Sequence, residues 1–135
     1  MSEVVRTKPR FGVMRLIDAT GYRLPLAGFV SILHRASGML MFLLLPFILY
    51  LLDKSLTSEA TFAELQALAS GVFVKLIILA LSWAYLHHFC AGIRHLLMDL
   101  HYGLDKDSAR QSAVSVLAIS LVLAALVAMK LFGVF

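Results

Sequence analysis

An all-α membrane protein, with three transmembrane helices in an up-down-up bundle, is the fold this sequence predicts, and three observations carry the prediction. Hydrophobic residues make up 61% of the 135 and charged residues only 15%, giving a mean hydropathy of +0.89, far from the balance of a soluble domain. The apolar residues also fall into three runs, at about 26–52, 68–100 and 112–134, separated by short polar stretches. Each run is long enough to cross a hydrocarbon core of about 30 Å at 1.5 Å per helical residue. Finally, Arg6, Lys8, Arg10, Arg15, Arg23, Arg35, Arg94, Lys106 and Arg110 fall on the side of the N-terminus and second loop, against Lys54, Lys75 and Lys130 on the other. That asymmetry puts the N-terminus on the cytoplasmic or matrix side and accounts for the net charge of +4. The basic residues border apolar runs, so they read as membrane orientation and not as a nucleic-acid surface.

Residues 1–25 form a basic tail whose longest uncharged stretch is too short for a signal-peptide core, so it is expected to remain as a cytoplasmic extension. A mitochondrial presequence is the alternative. Arg23-Leu24-Pro25-Leu26 marks the entry to the first span, because proline suits a helix start and disfavours helix at the residue before it. From Leu26 to Leu52 the only polar side chains are Ser31, His34, Arg35 and Ser37, all near the entry, and Pro46 is a candidate kink. Asp53 to Gln66 reads as a loop with a short interfacial helix, Thr61-Phe62-Ala63-Glu64 resembling a helix-start box. Lys75 can snorkel from the start of the second span. His101 to Gln111 is the second loop and Ser112 to Val134 the third span. The residues therefore make one membrane domain, 1–135, without repeats or a low-complexity linker.

Antiparallel first and second spans bring their polar clusters to the same leaflet. On the second helix His88, Gly92, His95 and Asp99 share one stripe. Ionisable groups at such depth cost roughly 2.5–3.5 kcal/mol each on insertion scales, so a group of them calls for partners, a cofactor or a proton path. A neutral imidazole in a dry helical setting is an axial ligand for haem iron, and Ala91 and Gly92 leave room beside His88 for a flat macrocycle. Arg94 and His95 are candidates for its propionates. His87, in line with Ala91 and Arg94 on another face, competes with His88 as the ligand, and spacing alone does not separate them. The bland alternative is a histidine bonded within the bundle and a glycine serving helix packing. Zinc is disfavoured, since His88 and His95 are two turns, roughly 10 Å, apart. On the first helix Ser31 and Arg35, with Gly38 on the same stripe, suit a quinone carbonyl or a carboxylate, against the alternative of a snorkelling arginine and a backbone-bonded serine. Asp99 either balances Arg94 or begins the loop.

Two linked motifs sharpen this. Ser31-Ile32-Leu33-His34-Arg35-Ala36-Ser37-Gly38 resembles the S-x-x-H-R-x-x-G signature of the cytochrome b556 membrane-anchor subunits of succinate dehydrogenase, respiratory complex II. His88-Phe89-Cys90-Ala91-Gly92-Ile93-Arg94-His95-Leu96-Leu97-Met98-Asp99 resembles their H-x-x-x-G-x-R-H-x-x-x-D signature, in the same order along the chain. The resemblance covers essentially the whole sequence. It implies that His88 is one axial ligand of haem b, the other coming from a second small membrane-anchor subunit. It also implies that His34, Arg35 and, less directly, His95 lie in the haem propionate region. Ser31 and Arg35 would line a ubiquinone site with Ile32 and Leu24 as apolar walls. The His87-His88 doublet and the additional His101 depart from the pattern.

The activity so implied is that of a subunit of succinate:quinone oxidoreductase, not catalytic alone. Electrons from succinate would arrive through a flavoprotein subunit and an iron-sulfur subunit, since the chain has neither a nucleotide-binding pattern nor a cysteine cluster; Cys90 is its one cysteine. Membrane lipid is its surroundings, the bacterial inner membrane its expected location, and the mitochondrial inner membrane the alternative. A fumarate reductase anchor, a non-catalytic membrane scaffold and a small proton-coupled transporter are the rival functions. The last lacks the midplane ionisable group and inverted repeats it would need.

Overall fold

The structure, a computed structural model, describes Gly21 and residues 23–134. They form four helices, α1 (Leu26–Thr57), α2 (Glu59–Ser70), α3 (Val72–Asp99) and α4 (Lys106–Leu131), with no strand among the described residues. α1, α3 and α4 are long and apolar enough to cross a membrane, at roughly 48, 42 and 39 Å by helical rise. The basic tail before Gly21, and the expectations attached to it, lie outside the described residues.

Backbone chemistry fixes where each helix starts and stops. Pro25, extended at φ −65° and ψ 151°, is the N-cap of α1, its carbonyl accepting from the Gly28 and Phe29 amides. α1 passes Pro46 and continues to Thr57, five residues beyond the end of the apolar run. Lipid solubility ends where Asp53 and Lys54 begin, but nothing in Asp53-Lys54-Ser55-Leu56-Thr57 forbids helical dihedrals. The helix-start box sits three residues earlier than the sequence suggests. Ser58 is the cap, its Oγ accepting from the Thr61 amide at 3.2 Å, and the Thr61 hydroxyl reaches back to the Ser58 amide. Thr61 also donates to the Lys54 carbonyl at 2.7 Å, stitching α2 onto the last turn of α1. A single extended residue, Gly71, divides α2 from α3, so Leu68 to Ser70 belong to the connecting helix.

α3 ends in a Schellman motif, with the Tyr102 amide on the Leu97 carbonyl and the His101 amide on that of Met98. His101 therefore takes the left-handed position at φ 64°. α4 ends the same way at Gly133, φ 75°, where the residue type suits the conformation. Asp105 caps the start of α4, accepting from the Ser108 amide at 2.9 Å, so Lys106 to Gln111 are helical although polar.

The interior is thin and made of small side chains. Val30, Ala91, Ala113 and Val116 form its centre, with Ser120 and Ala124 continuing the seam along α4. Small residues let helix backbones approach closely, the usual basis of helix association in lipid. The Ser120 hydroxyl is satisfied within its own helix by the Leu117 carbonyl. Of α1 only Val30 and Ser37 are buried, while Phe42, Leu43 and Leu56 face outwards. The entry half of α1, the exit half of α3 and the first turns of α4 thus meet at one end of the bundle, as antiparallel connection requires.

Candidate cofactor site

At that end three imidazoles gather between α1 and α3. The rings of His34 and His88 stack with centroids 4.1 Å apart and planes within 18°, and His95 tilts against His34 at 4.9 Å. The stripe expected on α3 thus meets the polar patch of α1. His88 Nδ1 lies 3.0 Å from the His34 carbonyl oxygen and 3.2 Å from Ser37 Oγ. A carbonyl only accepts, and the Ser37 hydroxyl already donates to that carbonyl at 2.9 Å. The proton therefore sits on His88 Nδ1, and the lone pair is left on Nε2. An imidazole anchored through Nδ1–H to a backbone carbonyl, with Nε2 carrying no hydrogen bond among the described residues, is the arrangement found in metal-ligating histidines. It fits the donor requirement of a haem iron.

Gly38 makes this placement feasible. A Cβ at Gly38 would lie 2.7 Å from His88 Cε1 and 3.3 Å from Nδ1, so the ring rests where any other residue would put its side chain. Gly92 is less critical, since a Cβ there would meet His34 Nε2 at an ordinary 3.6 Å. Ser37 and Gly38 escaped the spacing argument as positioning residues because each acts on a side chain of another helix. The available signal was their place three and four residues beyond His34, turned towards the same neighbour.

His87 points elsewhere. Only 1% of it is exposed, it packs near Trp83 at 5.6 Å between ring centroids, and among the described residues neither ring nitrogen makes a well-formed hydrogen bond, the Val30 backbone being a polar neighbour. The groove His87 borders, between Leu33, Ala36, Leu40 and Ala84, holds only about 160 Å³. Arg94, on the same buried stripe as His87 and Ala91, does not face the histidine cluster either. Its Nε donates to Ser112 Oγ at 2.9 Å and its Nη2 to the Ala109 carbonyl at 3.3 Å. The expectation that it meets haem propionates or balances Asp99 is corrected on that ground, because the residue turns towards α4. Asp99 is exposed.

Around α1, at about 100° per residue, His34, Gly38, Ser31 and Arg35 span an arc of roughly 100° beside the cluster. Ser31 is half-buried and Arg35 exposed. Ile32 lies farther round, and Leu24 precedes the helix; both are exposed. The chain brings His34, His88 and His95 into contact, while Ser31, Arg35, Ile32 and Leu24 present an open flank. Among the described residues no three His, Cys, Asp or Glu side chains are arranged to hold a metal ion by themselves. Stacked rings do not point their lone pairs at one centre.

Residues 17–127 match the family model described as succinate dehydrogenase/fumarate reductase transmembrane subunit. The chain belongs to this transmembrane-subunit family. Similar proteins include the succinate dehydrogenase cytochrome b556 subunit of Coxiella burnetii, 36% identical over 107 residues, covering 78% of this chain and 86% of the relative. That of Paracoccus denitrificans is 34% identical over 111 residues, covering 82% and 85%. That of Rickettsia prowazekii is 31% identical over 104 residues, covering 77% and 81%. These relatives are enzyme subunits. With three apolar helices of spanning length, this transmembrane subunit is a multi-pass membrane protein, and the resemblance carried by the two histidine motifs holds.

Proposed function

We propose that the chain is the haem b- and quinone-binding membrane anchor of a succinate:quinone oxidoreductase, docking flavoprotein and iron-sulfur subunits and lining the site where ubiquinone is reduced. One observation carries the reading: His88 is tied by Nδ1 to the His34 carbonyl and Ser37, with its Nε2 lone pair left for iron. His88 is accordingly the axial ligand, and a second small anchor subunit supplies the other. The relatives' designation as cytochrome b556 supports a b-type haem. Haem b, when bound, supplies a one-electron carrier beside the quinone site.

The chain's own groups bind and orient. His34 and His95 border His88, and Arg35 emerges next to them, so donors and one fixed positive charge stand where propionates would reach the membrane surface. Ser31 and Arg35, one turn apart, hold a quinone oxygen by hydroxyl and guanidinium donors, with Ile32 and Leu24 as apolar walls. Reduction of the quinone to quinol takes two electrons from the iron-sulfur subunit and two protons from the aqueous side. The exposed flank of α1 supports a pocket completed by partner chains. The bacterial inner membrane is the proposed location, with the N-terminus on the cytoplasmic side, following the lysine and arginine count. A fumarate reductase anchor is the second reading, because the matched family includes both enzymes.

His88→Ala is expected to abolish the haem absorption spectrum of the purified complex, whereas His87→Ala keeps it. The reverse pattern would overturn the assignment. Arg35→Ala is expected to impair quinone reduction more than succinate oxidation by an artificial soluble acceptor, and equal losses in the two assays would contradict its role.

A further inference from the structure

A wide groove along the described residues lies away from the histidines. It is a groove of about 640 Å³ between α3 and α4, walled by Phe89, Ile93 and Leu97 on one side and Val116, Ile119 and Leu123 on the other. Arg94, Gln111, Ser112 and Ser115 stand at its polar end. Arg94 is only 5% exposed, and its two hydrogen bonds go to neutral acceptors, Ser112 Oγ and the Ala109 carbonyl. A guanidinium carries five N–H donors and stays ionised. Three donors and the whole charge are therefore uncompensated among the described residues.

Among the described residues no carboxylate lines the groove. Asp105 is engaged in capping Ser108, and Asp107 borders a separate pocket with Arg110. A buried permanent cation in an apolar wall recruits a counter-ion. Arg94 sits five residues inside the end of α3, and Ser112 six residues inside the start of α4. That places both roughly 8–9 Å from the helix ends by helical rise, the depth at which head groups meet acyl chains.

An occupant must therefore join a negative group to a long apolar tail. We propose that this groove binds an anionic phospholipid, its phosphodiester on the free edge of Arg94 beside Gln111 and Ser115, and one acyl chain along Phe89, Ile93, Leu97 and Ile119. A zwitterionic head group is disfavoured because the described residues of the groove offer no carboxylate for its ammonium. The site is distinct from the haem and quinone reading and does not rest on it.

The test compares delipidated complexes carrying the wild-type chain, Arg94→Gln, and Ile119→Trp. The last fills the groove wall without touching the Arg94 hydrogen bonds, so it serves if Arg94→Gln loosens the α3–α4 contact. Each complex is equilibrated with nanodiscs of phosphatidylglycerol or of phosphatidylcholine, and retained lipid is counted by native mass spectrometry. The wild type is expected to hold phosphatidylglycerol at least tenfold more tightly than phosphatidylcholine, and both variants to lose that preference. Equal retention of the two lipids by the wild type, or undiminished preference in Ile119→Trp, would overturn the proposal. So would displacement of the lipid by inorganic phosphate alone, which marks a simple anion site, or a cross-link from Ile119→Cys to another protein chain, which marks a protein-filled groove.

Discussion

Replacing Gly38 by alanine isolates the packing that holds His88. In an ordinary helix the change is favourable by about 0.8–1 kcal/mol. At this position the new Cβ would lie 2.7 Å from His88 Cε1, and reaching an ordinary 3.4 Å contact moves the ring by about 0.7 Å. The ring has no free direction, since it is stacked on His34 and bonded to the His34 carbonyl and Ser37. Moving it weakens a hydrogen bond worth about 0.5–1.5 kcal/mol, against which the helical gain nearly balances. Global stability should therefore change by less than about 2 kcal/mol, within the range of overpacking in a small interior. Haem retention should fall much more, because disturbing the partner that orients a ligating histidine costs roughly 10–100-fold in affinity. The assay is the rate of haem loss to an excess of a high-affinity scavenger, read from the absorption spectrum. Gly28→Ala is the control, since its Cβ would meet only the side chains of Leu24 and Pro25 at 3.6 Å or beyond. A Gly38→Ala complex that loses haem no faster than the Gly28→Ala complex would refute the reasoning.

Three further outcomes are expected. His87→Leu should keep haem and leave the melting temperature unchanged or raised, because it removes two buried nitrogens that make no well-formed hydrogen bond among the described residues, each unmade bond costing about 1–3 kcal/mol; a large destabilisation would show that the Val30 backbone contact holds the ring. His101→Gly should raise stability by about 0.5–1 kcal/mol, since the residue at φ 64° closes a helix where glycine is unstrained; chemical or thermal melting checks it, and a loss would give the imidazole a contact of its own. The Asp105 carboxyl, capping the Ser108 amide, is held below the usual carboxylate range by that hydrogen bond. Its stabilisation is thus present above the unfolded value and lost as pH falls through the folded one, so the acid side of the melting-temperature profile should flatten in Asp105→Asn, and an unaltered profile would contradict the cap's contribution.

The fold class was legible because hydropathy and charge asymmetry act over whole segments, and three long apolar helices follow from them. Helix ends were less so, since the polarity of Asp53-Lys54 or Lys106-Asp107 reports contact with water and not a change of dihedral; caps at Ser58 and Asp105 decide the boundaries. The convergence of His34 with His88 and His95 was legible from antiparallel order and helical period. The direction in which Arg94 turns was not, because it depends on Ser112 from a helix that reads as nearly featureless. His101 stood out only as a histidine additional to the motif, and its backbone conformation gives it a helix-closing role.

The open flank of α1 bears on how such a chain can work at all. On the proposed reading His88 would supply one ligand to the haem iron, and His34, stacked on it, and His95, tilted against His34, lie beside that ring and not across from it. Ser31 and Arg35 likewise stand on a surface with no wall facing them among the described residues. A single-chain site would bury those groups to escape the cost of ionisable side chains in lipid, as the seam of Ala91, Ala113 and Val116 buries its apolar ones. Here His34, Ser37 and the close approach at Gly38 fix the ring of His88, while the groups that would touch cofactor and quinone are left outward. On the proposed reading the bundle is one half of a site: it would preset the ligand geometry, and the second anchor chain would close both the haem and the quinone pocket. A complex lacking that second chain should then fail to hold haem even with His88 intact, and haem bound stably by this chain alone, with two histidine ligands, would show the division of labour to be wrong.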